Sequence, residues 1–170
     1  MAADELVDLV DEHDRVVGVV SRRAMRSTRA WHRAVYVLVL DSQGRVLVQQ
    51  RSPLKDFAPG CWDIGAGGVV AAGESYDVAA VRELAEELGV TGVALEPLGA
   101  TRFEHPELRL HGRVYRVVYD GPFRFDDGEV VQVAWATVDE LHRLLVERPF
   151  VPDAPEIFLP HLGSSGTRTP

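Results

Sequence analysis

The sequence predicts an α/β fold: a mixed β-sheet sandwiched between helices, with an extra β-hairpin at the amino terminus. Three observations carry this. Strand-like segments form one block before a helical stretch and a second block after it, and a second helical stretch follows. Alternating apolar segments separated by turn residues mark hairpins near the start of the chain. The length of 170 residues favours one domain with an ample core, since a chain of this size buries about 70% of its unfolded surface.

Residues 6–10 and 16–20 alternate or run apolar around Glu12-His13-Asp14, which reads as the amino-terminal hairpin. Residues 22–29 are basic and polar, either a connector or one short helical turn. Residues 34–40 and 45–50 flank Asp41-Ser42-Gln43-Gly44 and form a second hairpin. Short strands are expected at 62–64 and 68–70, around Gly65-Ala66-Gly67-Gly68. Beyond the first helix, residues 95–103, 110–119 and 131–137 are β-rich. Leu141, Leu144 and Leu145 recur at helical spacing within 139–147, with Thr137 or Asp139 as cap. Pro149, Pro152, Pro155 and Pro160 are expected to break the chain beyond that helix, and 163–170 to form a disordered tail. The expected organisation is therefore a hairpin extension over 1–30, a main domain over 31–162 and the tail. The extension can shape a pocket, form a homodimer contact, or simply cover a sheet edge.

The first helix carries the chemistry. At about 100° per residue, Glu83, Glu86 and Glu87 fall within an arc of roughly 100°, with Val81, Leu84, Ala85 and Leu88 on the opposite arc for the core. Like charges spaced i, i+4 destabilise a bare helix and raise carboxylate pKa values, and a divalent cation removes both problems. A solvated acidic face is the ordinary alternative. The glycine-rich stretch just upstream tilts the balance, because it lets backbone approach a ligand closely. It lacks the Gly-Lys-Ser/Thr ending of a phosphate-binding P-loop and the third glycine of a dinucleotide fold, so it works with the glutamates or not at all.

From Gly68 onward the chain resembles the Nudix box, G-x5-E-x7-R-E-U-x-E-E-x-G-U with U apolar. Gly68, Glu74, Arg82, Glu83, Leu84, Glu86, Glu87, Gly89 and Val90 fill every specified position. The resemblance implies a Nudix-type α/β/α sandwich that binds Mg2+ or Mn2+ and cleaves a diphosphate bond in a nucleoside diphosphate linked to another group. It implies metal ligation by Glu83, Glu86 and Glu87 with the carbonyl of Gly67, orientation of the neighbouring glutamate by Arg82, and steadying of the loop by Glu74, beside the box glycines Gly68 and Gly89. Oxygen donors of this kind suit hard divalent cations. Glu83 is the first candidate for general base. Glu129, in Asp126-Asp127-Gly128-Glu129, is the second, against the ordinary reading of an exposed acidic loop.

Ahead of the box, Arg51 and Lys55 can point into the same cleft, where arginine forks onto phosphate oxygens and lysine supplies a point charge. This arrangement resembles the superfamily branch that includes type I isopentenyl-diphosphate isomerases, whose matching basic residues contact the diphosphate. Isomerase chemistry is the alternative function, and its groups are missing. Gly67 stands where the branch has its cysteine, Val69 where a metal-binding histidine follows, and Met25 where one of an earlier pair belongs, although His32 matches the other. A nucleotide-binding module without catalysis is a third reading, disfavoured because every ligand glutamate is retained. Trp31, Trp62 and Trp135 offer faces on which a base can stack, with core packing the plainer role for Trp135.

Composition excludes other classes. A net charge of −8 argues against a broad nucleic-acid or anionic-membrane surface, though a local basic cluster can still hold a small diphosphate. The lone Cys61 forbids an internal disulfide and a cysteine zinc cluster. No apolar stretch reaches the roughly 18 residues of a membrane helix, and the amino terminus lacks a basic segment followed by an apolar run, so a cytoplasmic protein is expected.

Overall fold

The computed structural model describes residues 4–163; the expected tail, apart from Gly163, lies outside the described residues. The chain begins with the hairpin β1 (Leu6–Val10) and β2 (Val16–Ser21), paired antiparallel as a separate two-stranded sheet. It leads directly into α1 (Arg22–Thr28), a seven-residue helix that replaces the connector or single turn left open by the sequence. Ser21 caps it by accepting a hydrogen bond from the Ala24 amide, and Arg29 ends it in the left-handed conformation.

The main sheet is organised around β3 (Trp31–Leu40). It runs parallel to β8 (Leu108–Val118) over its whole length, while its other edge pairs antiparallel with β6 (Ala66–Val69) and, at Leu40, with β4 (Val46–Arg51). β4 also pairs with β5 (Trp62–Ile64) and β9 (Val130–Ala136), and β7 (Glu96–His105) borders β8. A parallel pair at the centre needs cover on both faces, and β3 is accordingly apolar on both. Val35, Val37 and Val39 pack with Ala79, Ala80, Leu84 and Leu88 of α2 (Tyr76–Leu88). Ala34, Tyr36 and Leu38 pack on the opposite side with Leu141 of α3 (Val138–Glu147) and Ala154, Ile157 and Phe158 of α4 (Asp153–Phe158). The result is the expected α/β/α sandwich with a mixed sheet. Among the described residues no helix is long and apolar enough to cross a membrane.

Two expectations are corrected. The first concerns the orientation of α2: Val81 is exposed, and the buried face consists of Ala79, Ala80, Glu83, Leu84, Glu87 and Leu88. The helix is rotated so that two carboxylates face inward, which is tenable because Arg82 on the same helix pairs with Glu83 and the sheet supplies partners for Glu87. The second is α4, which forms where prolines were expected to break the chain. Pro152 is its N-cap and Pro155 lies in its first turn, where an amide would have no intrahelical acceptor, so the helix loses no hydrogen bond. Thr137, rather than Asp139, caps α3 in a reciprocal capping box with Glu140.

The extension is fastened to the segment that precedes α2. The Ala72 amide donates to the Leu6 carbonyl at 2.8 Å and the Gly73 amide to Asp8 Oδ2 at 3.2 Å, while Arg33 Nε donates to Asp14 Oδ1 at 2.7 Å. Val7, Met25 and Val69 form a small apolar cluster beneath it. This attachment carries α1 to the rim of a cavity at the edge of β6.

Candidate active site

The positions of the box side chains follow from β6 and α2. Gly67 and Gly68 lie in β6 opposite Tyr36 and Val35, and Glu83 rises from α2 against them. A Cβ on Gly67 would overlap the Val35 carbonyl oxygen, and one on Gly68 would overlap the Glu83 carboxylate, so only glycine permits these approaches. Ser75 caps α2 by accepting from the Val78 amide, and Gly89 closes it with φ 67°.

Arg82 organises the solvent side of the cluster. Its Nε and Nη2 donate to Glu74 Oε1 and Oε2 at 2.9 and 2.8 Å, and its Nη1 donates to Glu83 Oε1 at 2.7 Å and Glu86 Oε2 at 3.1 Å. Hydrogen bonding to Arg82 holds the Glu74 carboxyl below its ordinary pKa, and Glu74 also accepts from the Ala71 amide, which ties the loop to the helix. Glu83 moves the other way. Burial, followed by the charge of Glu87 and only partly offset by Arg82, pushes it up to about 7.

Glu87 faces the sheet. Its Oε2 accepts from Gln49 Nε2 at 3.0 Å and the Gly67 amide at 3.2 Å, and its Oε1 from Lys55 Nζ at 3.4 Å. Lys55 is also hydrogen-bonded to Glu129, so one ammonium joins the box helix to the loop before β9. Arg51 Nη1 donates to Asp63 Oδ2 at 3.2 Å and its Nη2 to the Phe57 carbonyl at 3.0 Å. Asp63 is pushed up to about 7, chiefly by burial, with Asp153 and Glu87 adding to the effect against Arg51. Nearby, the buried Tyr36 hydroxyl donates to Asp153 Oδ2 at 2.6 Å.

One cavity of about 540 Å³ collects these groups: Gly67, Gly68, Arg82, Glu83, Glu86, Arg51, Lys55 and Glu129 all line it. Gly89 and Glu74 support it from outside. Glu87 meets it through Lys55. Among the described residues no three carboxylate, imidazole or thiolate groups stand together as a ready cation cage. Glu83 and Glu86 are instead bridged by Arg82, and Glu87 and Glu129 by Lys55. The residues nevertheless fit a hard divalent cation. The donors are all oxygens, and the repulsion of Glu83 by Glu87, which Arg82 only partly offsets, is what such an ion would neutralise.

Sequence reasoning missed Gln49, Asp63, Asp153, Tyr36, Arg22 and Arg26. Gln49 had a signal, a polar residue at an inward position of an apolar strand; Asp153 and Tyr36 join a site only through the fold. The tryptophans do not line the cavity. Trp31 stacks on His111 with centroids 4.9 Å apart, Trp135 packs on Phe123 at 5.8 Å, and Trp62 lies against the core.

Comparison with known proteins identifies the family and the fold. The NUDIX domain family matches residues 30–158. Nudix hydrolase YfcD of Salmonella typhi is 42% identical over 154 residues, covering 91% of this chain and 83% of the relative. A Nudix hydrolase of Pseudomonas aeruginosa is 35% identical over 150 residues, covering 88% and 89%. The crystal structure of DR0079 from Deinococcus radiodurans superposes with a TM-score of 0.80 at 30% identity, covering 94% of this chain and all of that one. With the box in place on its loop and helix, the chain belongs to the Nudix family, enzymes that act on phosphorus-containing anhydrides.

Proposed function

We propose that the protein hydrolyses a diphosphate bond in a nucleoside di- or triphosphate, or in another nucleoside-diphosphate-linked compound, with Mg2+ or Mn2+ as cofactor. The observation that carries this is one cavity lined at once by Glu83 and Glu86, with Glu87 behind Lys55, and by the cations Arg51 and Lys55: oxygen donors for a metal and positive charge for phosphate oxygens. Glu83, Glu86 and Glu87, with the Gly67 carbonyl, would hold the ion, which would neutralise the diphosphate and acidify a bound water. Arg82 holds Glu83 Oε1, leaving Oε2 to take the proton of the attacking water. Glu129 is the alternative acceptor once Lys55 turns to substrate. Arg51 and Lys55 bind the phosphate oxygens and fix the scissile bond against the water.

The isomerase alternative loses support in the same region. Met25 and Val69, at positions where that branch carries histidines, pack together against Val7. His32 is buried with Nδ1 3.1 Å from the Ala30 carbonyl, and burial pulls it down to about 4, so it is neutral at ordinary pH. The test is a screen of nucleoside di- and triphosphates, nucleotide sugars, dinucleotides and prenyl diphosphates with either metal, products identified by mass. Hydrolysis by the wild type and its loss by about 100-fold or more in Glu83→Gln is expected. Near wild-type turnover by that variant, or no cleavage of any compound, contradicts the proposal.

A further inference from the structure

The cavity contains a cation that the box does not account for. Arg26, on α1, lines it beside Tyr36, Asp63 and Asp153. Its Nε and Nη1 are buried and have no hydrogen-bond partner among the described residues. The neighbouring carboxylate, Asp56, is 3.7 Å from Nε and is already engaged by Arg22, whose Nε and Nη2 reach it at 3.0 and 3.3 Å. The other charges in this part of the cavity are matched: Arg22 also donates to Glu5, Arg51 to Asp63, and Tyr36 to Asp153. Arg51, itself buried, leaves its Nε equally without a partner. Two guanidinium groups from separate elements therefore line one cavity while each keeps buried donors without a partner.

A buried guanidinium with free donors is costly unless something accepts its hydrogen bonds. Packing does not release it. The Arg26 guanidinium carbon lies 5.0 Å from the centre of the Phe57 ring, a cation–π contact that supplies no hydrogen-bond acceptor. A planar fork of charged donors matches an oxyanion, and the carboxylates nearby already have partners. We propose that α1 completes the substrate site, Arg26 binding a phosphoryl group of the substrate together with Arg51. The amino-terminal extension is then part of the recognition surface. This inference rests on the reading of the cavity as the substrate site.

The test is calorimetric titration of the full chain with inorganic pyrophosphate in the presence of chelator, where binding does not depend on the metal. The wild type is expected to bind, and Arg26→Gln to bind about 10- to 100-fold more weakly, the loss typical of a charge-assisted hydrogen bond. Arg26→Lys should recover only part of the affinity, because an ammonium cannot fork. Arg26→Met separates recognition from packing: the melting temperature of the ligand-free protein should hold or rise, while the stabilisation by pyrophosphate is lost. No binding by the wild type, wild-type affinity in Arg26→Gln, or a lowered melting temperature in Arg26→Met with unchanged affinity would overturn the assignment. Loss of anion binding in Arg26→Gln, in a protein that cleaves no diphosphate with either metal, leaves Arg26 assigned and removes the hydrolase reading. Intact hydrolysis with undiminished binding in Arg26→Gln does the reverse.

Discussion

Replacing Gly68 by alanine adds one methyl group in a position where the structure gives its consequence a size. The new Cβ would fall far inside 3.0 Å of the Glu83 carboxylate, and ordinary contact begins at 3.4 Å, so the carboxylate must withdraw by about 1 Å. The clashing atoms are the end of a flexible side chain rather than backbone, and the fold can yield at small cost. The stability lost is that of the Arg82 Nη1–Glu83 hydrogen bond, 2.7 Å long, or about 1–2 kcal/mol and about 2–8 °C in Tm. Activity should suffer far more, because a misplacement of about 1 Å at a reacting centre costs about 100-fold. The same methyl on Gly67 meets the Val35 carbonyl oxygen, which is backbone of the central strand, and should instead unfold or strongly destabilise the protein. Thermal melts and metal-dependent hydrolysis, measured on both variants, separate the two effects. A Gly68→Ala protein with wild-type kcat/KM would refute the claim that Glu83 must stay where Gly68 allows it.

Two further outcomes are expected of the metal-free protein. Glu83 is pushed up to about 7 from an ordinary 4.5, so the folded state keeps a proton that the unfolded chain releases, and stability should decline as pH rises through that window. Melts in chelator between about pH 5 and about pH 8 should therefore fall more steeply for the wild type than for Glu83→Gln, with Asp63 contributing equally to both; identical slopes would contradict the assignment. Metal affinity should rise over the same window, as the proton leaves. Lys55→Met removes the ammonium from Glu87, whose side chain is 2% exposed, and should cost about 3 kcal/mol, or about 6–12 °C in Tm. Mg2+ or Mn2+ should then stabilise this variant more than the wild type; an equal shift in both would show that Lys55 does not stand in for the cation.

The strands were legible because alternation and turn chemistry are local, and the structure extends or trims them by a few residues at each end. The box was legible because its spacing is fixed within one loop and helix. Two features were not. The face that α2 buries could not be read from its own apolar residues, because Glu83 and Glu87 are buried on the strength of Arg82 beside them and Gln49, the Gly67 amide and Lys55 from elsewhere. α4 could not be read because proline was weighed as a breaker without knowing that Pro152 and Pro155 fall where the helix needs no amide. In both cases the deciding information lies in position relative to a partner or a helix end, which composition does not contain.

That distinction bears on how the site divides its labour. The groups proposed to hold the metal are encoded contiguously, in one run from Gly67 to Gly89, and would serve any substrate with a diphosphate bond. Arg22 and Arg26 on α1, Arg51 at the end of β4 with Lys55 and Phe57 beyond it, Glu129 before β9 and Asp153 in α4 reach the same cavity from four other regions of the chain. None of them is fixed by the box spacing, and Lys55 physically couples the two sets by pairing with both Glu87 and Glu129. A change of substrate can then be made by altering these outer residues while the carboxylates stay in place, whereas a change within the run disturbs the reaction itself. On this physical ground the residue to vary in search of the natural substrate is Asp153, and those to keep are Glu83, Glu86 and Glu87.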